Sequence, residues 1–300
     1  RGAIMKPLLR LRYLNHVNGW LLVLPAVFMI GLFTHYPIVS TIYHSLFSTG
    51  TAVQPSTFIG LENYTYLAED EIFWKVLFNN MVYSMCTVPL SIAFALGMAL
   101  LVNRNITGRS LVRMSFFTPT VLPMIAVANI WLFFYTPEYG LFDQVSQFFG
   151  GSSHNWLGNP DSALYCLIVM VIWKEAGFFM VFYLAALQQL SPELKEAGVV
   201  EGAGSWYYFR RVTFPLLMPT TLFITVNAVV NSFKLVDHLV IMTKGGPDNA
   251  SSLLLYYIYE NAFSFWDTSY AATLTVVLVL ILAVFTIIQF AVVEKRIHYQ

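Results

Sequence analysis

Six apolar runs dominate the sequence. Each is long enough to cross the hydrocarbon core of a bilayer as a helix, which takes about 20 residues. They lie roughly at Trp20–Tyr43, Phe73–Val102, Leu111–Tyr135, Ala163–Leu187, Leu216–Met242 and Tyr270–Val292. Hydrocarbon offers no water to an unpaired amide, so such runs can only be helices. Composition excludes a soluble alternative. Hydrophobic residues make up 57% of the chain and charged residues only 11%, whereas soluble domains carry roughly 25% charged residues. The expectation is an all-α, polytopic membrane protein with one transmembrane domain over residues 1–300. The first run is too long for a signal-peptide core and no small-residue cleavage pattern follows it, so it reads as a retained span. Pro89 falls inside the second run, and Pro119 and Pro123 inside the third. Kinks are expected there, with the freed backbone groups satisfied by neighbouring helices or water.

Charge placement sets the orientation. Arg1, Lys6, Arg10, Arg12, Arg104, Arg109, Arg113, Lys195, Arg210, Arg211, Lys295 and Arg296 lie in segments on one side, 12 of the 16 basic residues. The opposite loops, about 44–72, 136–162 and 243–269, hold Glu62, Glu69, Asp70, Glu71, Glu138, Asp143, Asp161, Asp248, Glu260 and Asp267. The positive-inside rule puts both termini in the cytoplasm, and an even number of spans requires them to share a side. The aromatic residues of the outer loops read either as interface anchors or as a docking surface for an external partner. The 16 basic and 16 acidic residues cancel, which leaves no basic field for nucleic acid. Cys86 and Cys166 sit in apolar stretches without metal-ligand spacing. The histidines are scattered, and no catalytic triad or paired-carboxylate arrangement emerges.

The segment at 191–215 stands out among the basic-side loops. Ser191 is a good helix N-cap, Pro192 suits the first helical position, and Glu193 complements the helix dipole. A helix should start there and end near Gly202-Ala203-Gly204, where glycine permits a left-handed turn. A second short helix should carry Trp206 to Val212, and Pro215 should break it before the fifth span. Two short helices joined by small residues let another protein approach the backbone closely. The same residues also suit a helical hairpin lying on the membrane, with Arg210 and Arg211 against lipid phosphates.

The spelling of this segment resembles the EAA loop of ABC-transporter permease subunits. Glu196, Ala197, Glu201, Gly202, Ala203, Phe209, Val212, Pro215 and Pro219 fall in register with that pattern. Gly198 departs from the usual Ala, and Glu201 replaces the usual Asp. The stretch from Phe58 to Tyr64 looks like the first outer-loop signature of carbohydrate-type permeases. Gly245-Gly246-Pro247 with Leu253 to Phe263 looks like their last outer loop, and Val293-Glu294-Lys295 resembles the glycerol-phosphate permease tail. The resemblance implies a six-span permease of a type I ABC importer in a bacterial inner membrane. The imported solute would be a sugar, a sugar-glycerol conjugate or glycerol phosphate. It further implies that Glu196, Ala197, Gly198, Glu201, Gly202, Ala203 and Gly204 form a coupling helix docked in a separate ATPase. The chain itself has no Gly-x-x-x-x-Gly-Lys-Ser/Thr, so no cofactor is expected in it. ATP and Mg would be bound by that partner. The implied assembly has a second permease, two ATPase subunits and a soluble substrate-binding protein.

Ionisable and polar residues inside spans are expensive and point to function. Trp173, Lys174 and Glu175 fall in the fourth span; Asn227, Asn231, Lys234, Asp237 and His238 fall in the fifth. Positions 227, 231, 234 and 238 have helical spacing, and Lys234 and Asp237 could pair. These residues fit interhelical locks, and they fit equally a polar path for a hydroxylated substrate in which Lys174 and Lys234 meet any anionic group. A rival reading is an ion-coupled secondary transporter that works alone through Lys174, Glu175 and Asp237. No inverted repeat is visible to favour it.

Overall fold

The computed structural model describes residues 18–50, 53–104 and 106–293. Arg1, Lys6, Arg10, Arg12, Lys295 and Arg296 lie outside the described residues, as do Glu294 and Lys295 of the tail signature. No strand forms among the described residues; a single isolated bridge joins Phe47 to Phe58. Five helical runs are long and apolar enough to cross a bilayer, and a sixth is counted when one bent pair is taken as a single span. The chain divides into two compact units, residues 1–66 with 261–276, and residues 67–260 with 277–300.

In the first unit, α1 (Asn18–His44) turns almost all of its side chains outward. Its end is stitched to the start of α2 (Glu62–Glu69). The Asn63 amide donates to the carbonyls of Ser45 at 2.9 Å and Phe47 at 3.0 Å. The hydroxyls of Ser45 and Tyr64 lie 2.8 Å apart. Asn63 and Tyr64 of the outer-loop signature are therefore structural staples here.

The second unit is built on α3 (Glu71–Val102), packed along α7 (Ala163–Gln189). Tyr83, Leu167, Met170, Phe179 and Tyr183 fill the seam and are fully buried. Pro89 does not interrupt α3, which runs 32 residues through it; only the bond from position 89 to the Met85 carbonyl is forgone. Two asparagines near the start of α3 hold the fifth span and the chain beyond it. Asn79 donates to the carbonyls of Asn249 at 2.8 Å and Ser252 at 3.2 Å. Asn80 donates to the Ser232 carbonyl at 3.3 Å and accepts from the Leu254 amide at 3.0 Å. The latter bond anchors α13 (Leu254–Tyr259).

The third span departs from expectation. A kinked helix over 111–135 is replaced by α4 (Arg109–Val121) and α5 (Met124–Phe134), bent by 102°. Leu122 and Pro123 are extended, with ψ of 137° and 143°. Proline excludes the residue before it from the helical region, and here that residue is Leu122. The break also frees carbonyls. In an unbroken helix the donor to Pro119 would be residue 123, and proline has no N–H. Lys174 supplies it: buried in α7, its Nζ donates to the Pro119 carbonyl at 3.0 Å and to the Leu122 carbonyl at 2.7 Å. Gly177, one turn on, lets α7 approach this close, because a Cβ there would overlap the Phe116 carbonyl oxygen.

Beyond α5, the loop 136–162 winds around one carboxylate. Asp143, on α6 (Leu141–Phe148), is buried. It accepts from the His154 amide at 2.8 Å, the Glu138 amide at 2.7 Å and the Gln147 side chain at 3.1 Å. The His154 amide, then the Ser153 hydroxyl, hold its pKa down at about 2, against an ordinary 3.8.

Two outcomes follow. Lys174→Met leaves two buried carbonyls without a donor and lowers stability by about 2–3 kcal/mol, read as an earlier thermal transition in detergent. Adding Pro123→Ala, which restores an N–H at 123, recovers part of that loss; an unchanged transition in Lys174→Met would reject the lock. The depressed pKa of Asp143 means its stabilisation is complete above the ordinary carboxylate value and is lost as pH falls through about 2. Pepsin should therefore cut the Phe148–Phe149 bond increasingly between those limits, and should cut it already at pH 4 in Asp143→Asn. Equal cutting of both forms at pH 4 would count against the carboxylate as organiser.

Candidate functional site

The 191–215 segment folds as its sequence dictates up to Gly204. Helix α8 (Pro192–Val200) starts at Ser191, whose hydroxyl accepts from the Glu193 amide at 3.3 Å. It closes on Gly202 in the left-handed conformation, φ 72°. The Gly202 amide donates to the Val199 carbonyl at 3.1 Å and the Ala203 amide to the Gly198 carbonyl at 2.9 Å, the paired bonds that end a helix on glycine. No α8 side chain is buried. Glu196, Ala197, Glu201, Gly202 and Gly204 are exposed, and Gly198 and Ala203 are half-buried. Val200 is 88% exposed, Trp206 72% and Val199 70%. All three are apolar side chains left uncovered within the chain.

After Gly204 the chain differs from expectation. Pro215 does not stop the second helix. Helix α9 (Ser205–Tyr208) passes through a π turn at Phe209–Thr213 into α10 (Phe214–Leu216), and after Leu217 the chain continues as α11 (Met218–Lys234). The wide turn, closed by the Phe214 amide on the Phe209 carbonyl, makes room for the proline ring. Pro215 and Pro219 each sit in the first turn of a helical segment, where a missing N–H costs nothing. Leu217 itself keeps helical angles, φ −84° and ψ −6°. The helical path therefore runs from Ser205 to Lys234 without a flexible link. Between this projection and the ends of α3 and α7 opens a groove of about 1070 Å³, with Arg104, Lys195, Trp206 and Phe209 among its walls.

The in-span polar residues separate into groups. The Asn231 amide donates to Glu175 Oε2 at 3.1 Å, joining α11 to α7. The two residues line a narrow cleft of about 10 Å³, room for about one water, together with Thr87, Ser91 and Ser232. Lys174, the residue before Glu175, is fully engaged with the broken third span and does not reach this cleft. Trp173 is exposed and meets Trp131 edge to face at 5.7 Å. The Asn227 amide is turned back to the Phe223 carbonyl at 2.7 Å. Lys234 and Asp237 are exposed and, among the described residues, form no ion pair. The reason is a break that was not expected. Helix α11 ends at Lys234, Leu235 is extended, and α12 (Asp237–Met242) starts anew. The shared face of 227, 231 and 234 therefore stops short of His238, which is buried and bonded to the Tyr83 hydroxyl at 3.1 Å. Thr87 and Ser91 were missed because a small hydroxyl in an apolar run carries no signal. The adjacent pair Asn79-Asn80 inside a span did carry one.

A family model described as binding-protein-dependent transport system inner membrane component matches residues 89–299. The sulfoquinovosyl glycerol transport system permease protein SmoG of Agrobacterium fabrum is 34% identical over 259 residues, 86% of this chain and 84% of that protein. The lactose transport system permease protein LacF of Rhizobium radiobacter is 34% identical over 286 residues, 93% of this chain and 95% of that one. The sn-glycerol-3-phosphate transport system permease protein UgpA of Yersinia pestis is 29% identical over 282 residues, 94% and 95% of the two chains. Among solved structures, a chain of a bacterial ABC transporter that imports the acidic polysaccharide alginate superposes with a TM-score of 0.83. The two share 20% sequence identity, and the match covers 94% of this chain and 98% of that one.

Proposed function

The chain belongs to the family of binding-protein-dependent transport system inner membrane components, and from that premise we propose that it forms half of the translocation path of an ATP-driven sugar importer. It does so beside a second permease, in a bacterial inner membrane with both termini in the cytoplasm. A soluble binding protein delivers the solute to the outer loops. Two separate ATPase subunits, which bind ATP and Mg, dock on the exposed tip formed by α8 with Trp206 and Tyr207. The observation that carries this reading is the unbroken helical path from Ser205 through α11 to Asn231. Displacement of α8 passes the short Gly202–Gly204 turn to Trp206 and Tyr207, and from there follows helical segments to the Glu175–Asn231 cleft. Glu196, Ala197, Gly198, Glu201, Gly202, Ala203 and Gly204 form the coupling element.

The cleft is closed to anything larger than a water in this conformation, and its carboxylate, amide and hydroxyls are groups that would exchange hydrogen bonds with sugar hydroxyls once α7 and α11 part. The relatives carry names of both neutral and anionic solutes, lactose and glycerol 3-phosphate among them. Lys174 is committed to backbone carbonyls, so an anionic group on the solute would meet Lys234 alone of the two in-span lysines. Asn227, Trp173 and Asp237 do not line this cleft.

Uptake of radiolabelled sugar by cells carrying variants of the chain tests both parts. Glu196→Lys, which reverses a charge on the exposed tip, and Gly202→Asp, which forces a side chain into a left-handed turn, should each abolish uptake at normal protein levels. Asn231→Ala should slow uptake several-fold with the ATPase still bound, the loss expected of one or two hydrogen bonds at about 1 kcal/mol each. Wild-type uptake in Glu196→Lys and Gly202→Asp would dismiss the coupling role. Uptake by the purified chain alone in vesicles without ATP would favour an ion-coupled carrier instead.

A further inference from the structure

Gly198 is the one position of α8 where the side chain is missing for a visible reason. A Cβ built on it would lie 2.8 Å from Tyr208 Cδ2 and 3.1 Å from Cε2. A Cβ does not come within 3.0 Å of a ring carbon, and Cδ2 is near the root of the ring, so the whole ring would have to swing. The contact links two different pieces of the projection. Gly198 is two residues from the C-terminus of α8, and Tyr208 is the last residue of α9, from which the helical path to α11 departs. Between them lies only the tight glycine turn. Its bonds close the end of α8 but span no further than Ala203. A glycine inside an exposed helix costs about 1 kcal/mol relative to alanine. The ring seated on its backbone is a reason to keep it.

We propose that Tyr208 is a positioning residue whose ring, resting on the bare backbone of Gly198, fixes the angle between the coupling helix α8 and the helical path into the fifth span. With the ring seated, α8 and α9 move as one body. Without it, the turn at Gly202–Gly204 becomes a hinge, and motion received at the tip is absorbed before it reaches α11. The proposal rests on the coupling reading above and names the contact that makes the coupling stiff.

The experiment is a four-variant cycle in the complete transporter, reconstituted with its ATPase, second permease and binding protein. It measures sugar moved per ATP hydrolysed. Tyr208→Phe keeps the ring and should keep the wild-type ratio. Gly198→Ala and Tyr208→Ala should each lower it by about tenfold, an effect within the usual range for an overpacked contact, while ATP hydrolysis continues. The decisive member is the double variant. Gly198→Ala should do no further harm once the ring at position 208 is gone, because the two changes remove the same contact. An equal loss from Gly198→Ala with and without the ring, or no loss in either background, overturns the clamp. Glu196→Lys run beside these variants separates the two readings. If it blocks uptake while the cycle is flat, only the clamp fails; if it too leaves uptake intact, the coupling role of the loop fails with it.

Discussion

A backbone carbonyl inside hydrocarbon must find a donor, and the arrangement of the second unit depends on how one lysine meets that demand. Pro123 removes the donor that Pro119 needs and forces Leu122 out of the helix. The third span could not turn through 102° in lipid if the exposed ends were left bare. The Lys174 ammonium carries three donors on a flexible stem. It places two of them on the Pro119 and Leu122 carbonyls, the C-terminal end of α4, where a positive charge is favoured by the helix dipole as well. Gly177 brings the backbones close enough for the stem to reach. A break that would be ruinous in an isolated span becomes a fixed corner of the bundle.

The same logic explains why the projection on the basic side differs from its sequence expectation. The sequence predicts a helix stop at Pro215. In the fold, both Pro215 and Pro219 begin helical segments, and a π turn absorbs the ring of the first. A proline is disruptive only where its missing N–H and its ring meet a regular turn. Pro89 likewise leaves α3 continuous. Of Pro89, Pro123, Pro215 and Pro219, only Pro123, which is preceded by a residue with extended angles, breaks the helix it meets.

Much of the architecture was legible because hydrophobic length is a long-range, redundant signal. The span limits move by only a few residues, and the ends of α8 fall where Ser191 and Gly202 indicate. The site was less legible, because side-chain partnership in a bundle is decided by residues far apart in sequence. Nothing near Lys174 announces that its partners are Pro119 and Leu122, more than fifty positions away. Helical spacing put Asn227, Asn231, Lys234 and His238 on one face, but spacing holds only while the helix does, and α11 ends at Lys234. Lys234 and Asp237, close enough in sequence to pair on one helix, fall on either side of that break. Thr87 and Ser91, which line the cleft, are silent in a run of apolar residues. Gly198 was readable as a departure from a pattern, but its reason lay in the ring of Tyr208.

Two consecutive residues of α7 hold opposite duties. Lys174 is turned to α4 and locks a broken span; Glu175 is turned to α11 and meets Asn231 across a cleft. Residues one apart on a helix point about 100° away from each other, so one helix can keep a fixed contact on one flank and a changeable one on the other. The first contact is buried and made to backbone; the second is half-buried and made between side chains at 3.1 Å. A movement of α11 against α7 would change the Glu175–Asn231 contact and leave the Lys174 contacts, which are made to α4, in place. Under the proposed coupling, this division of contacts assigns the parts: α4 and α7 are the frame, and α11, driven through Tyr208 from the exposed tip, is the element that moves.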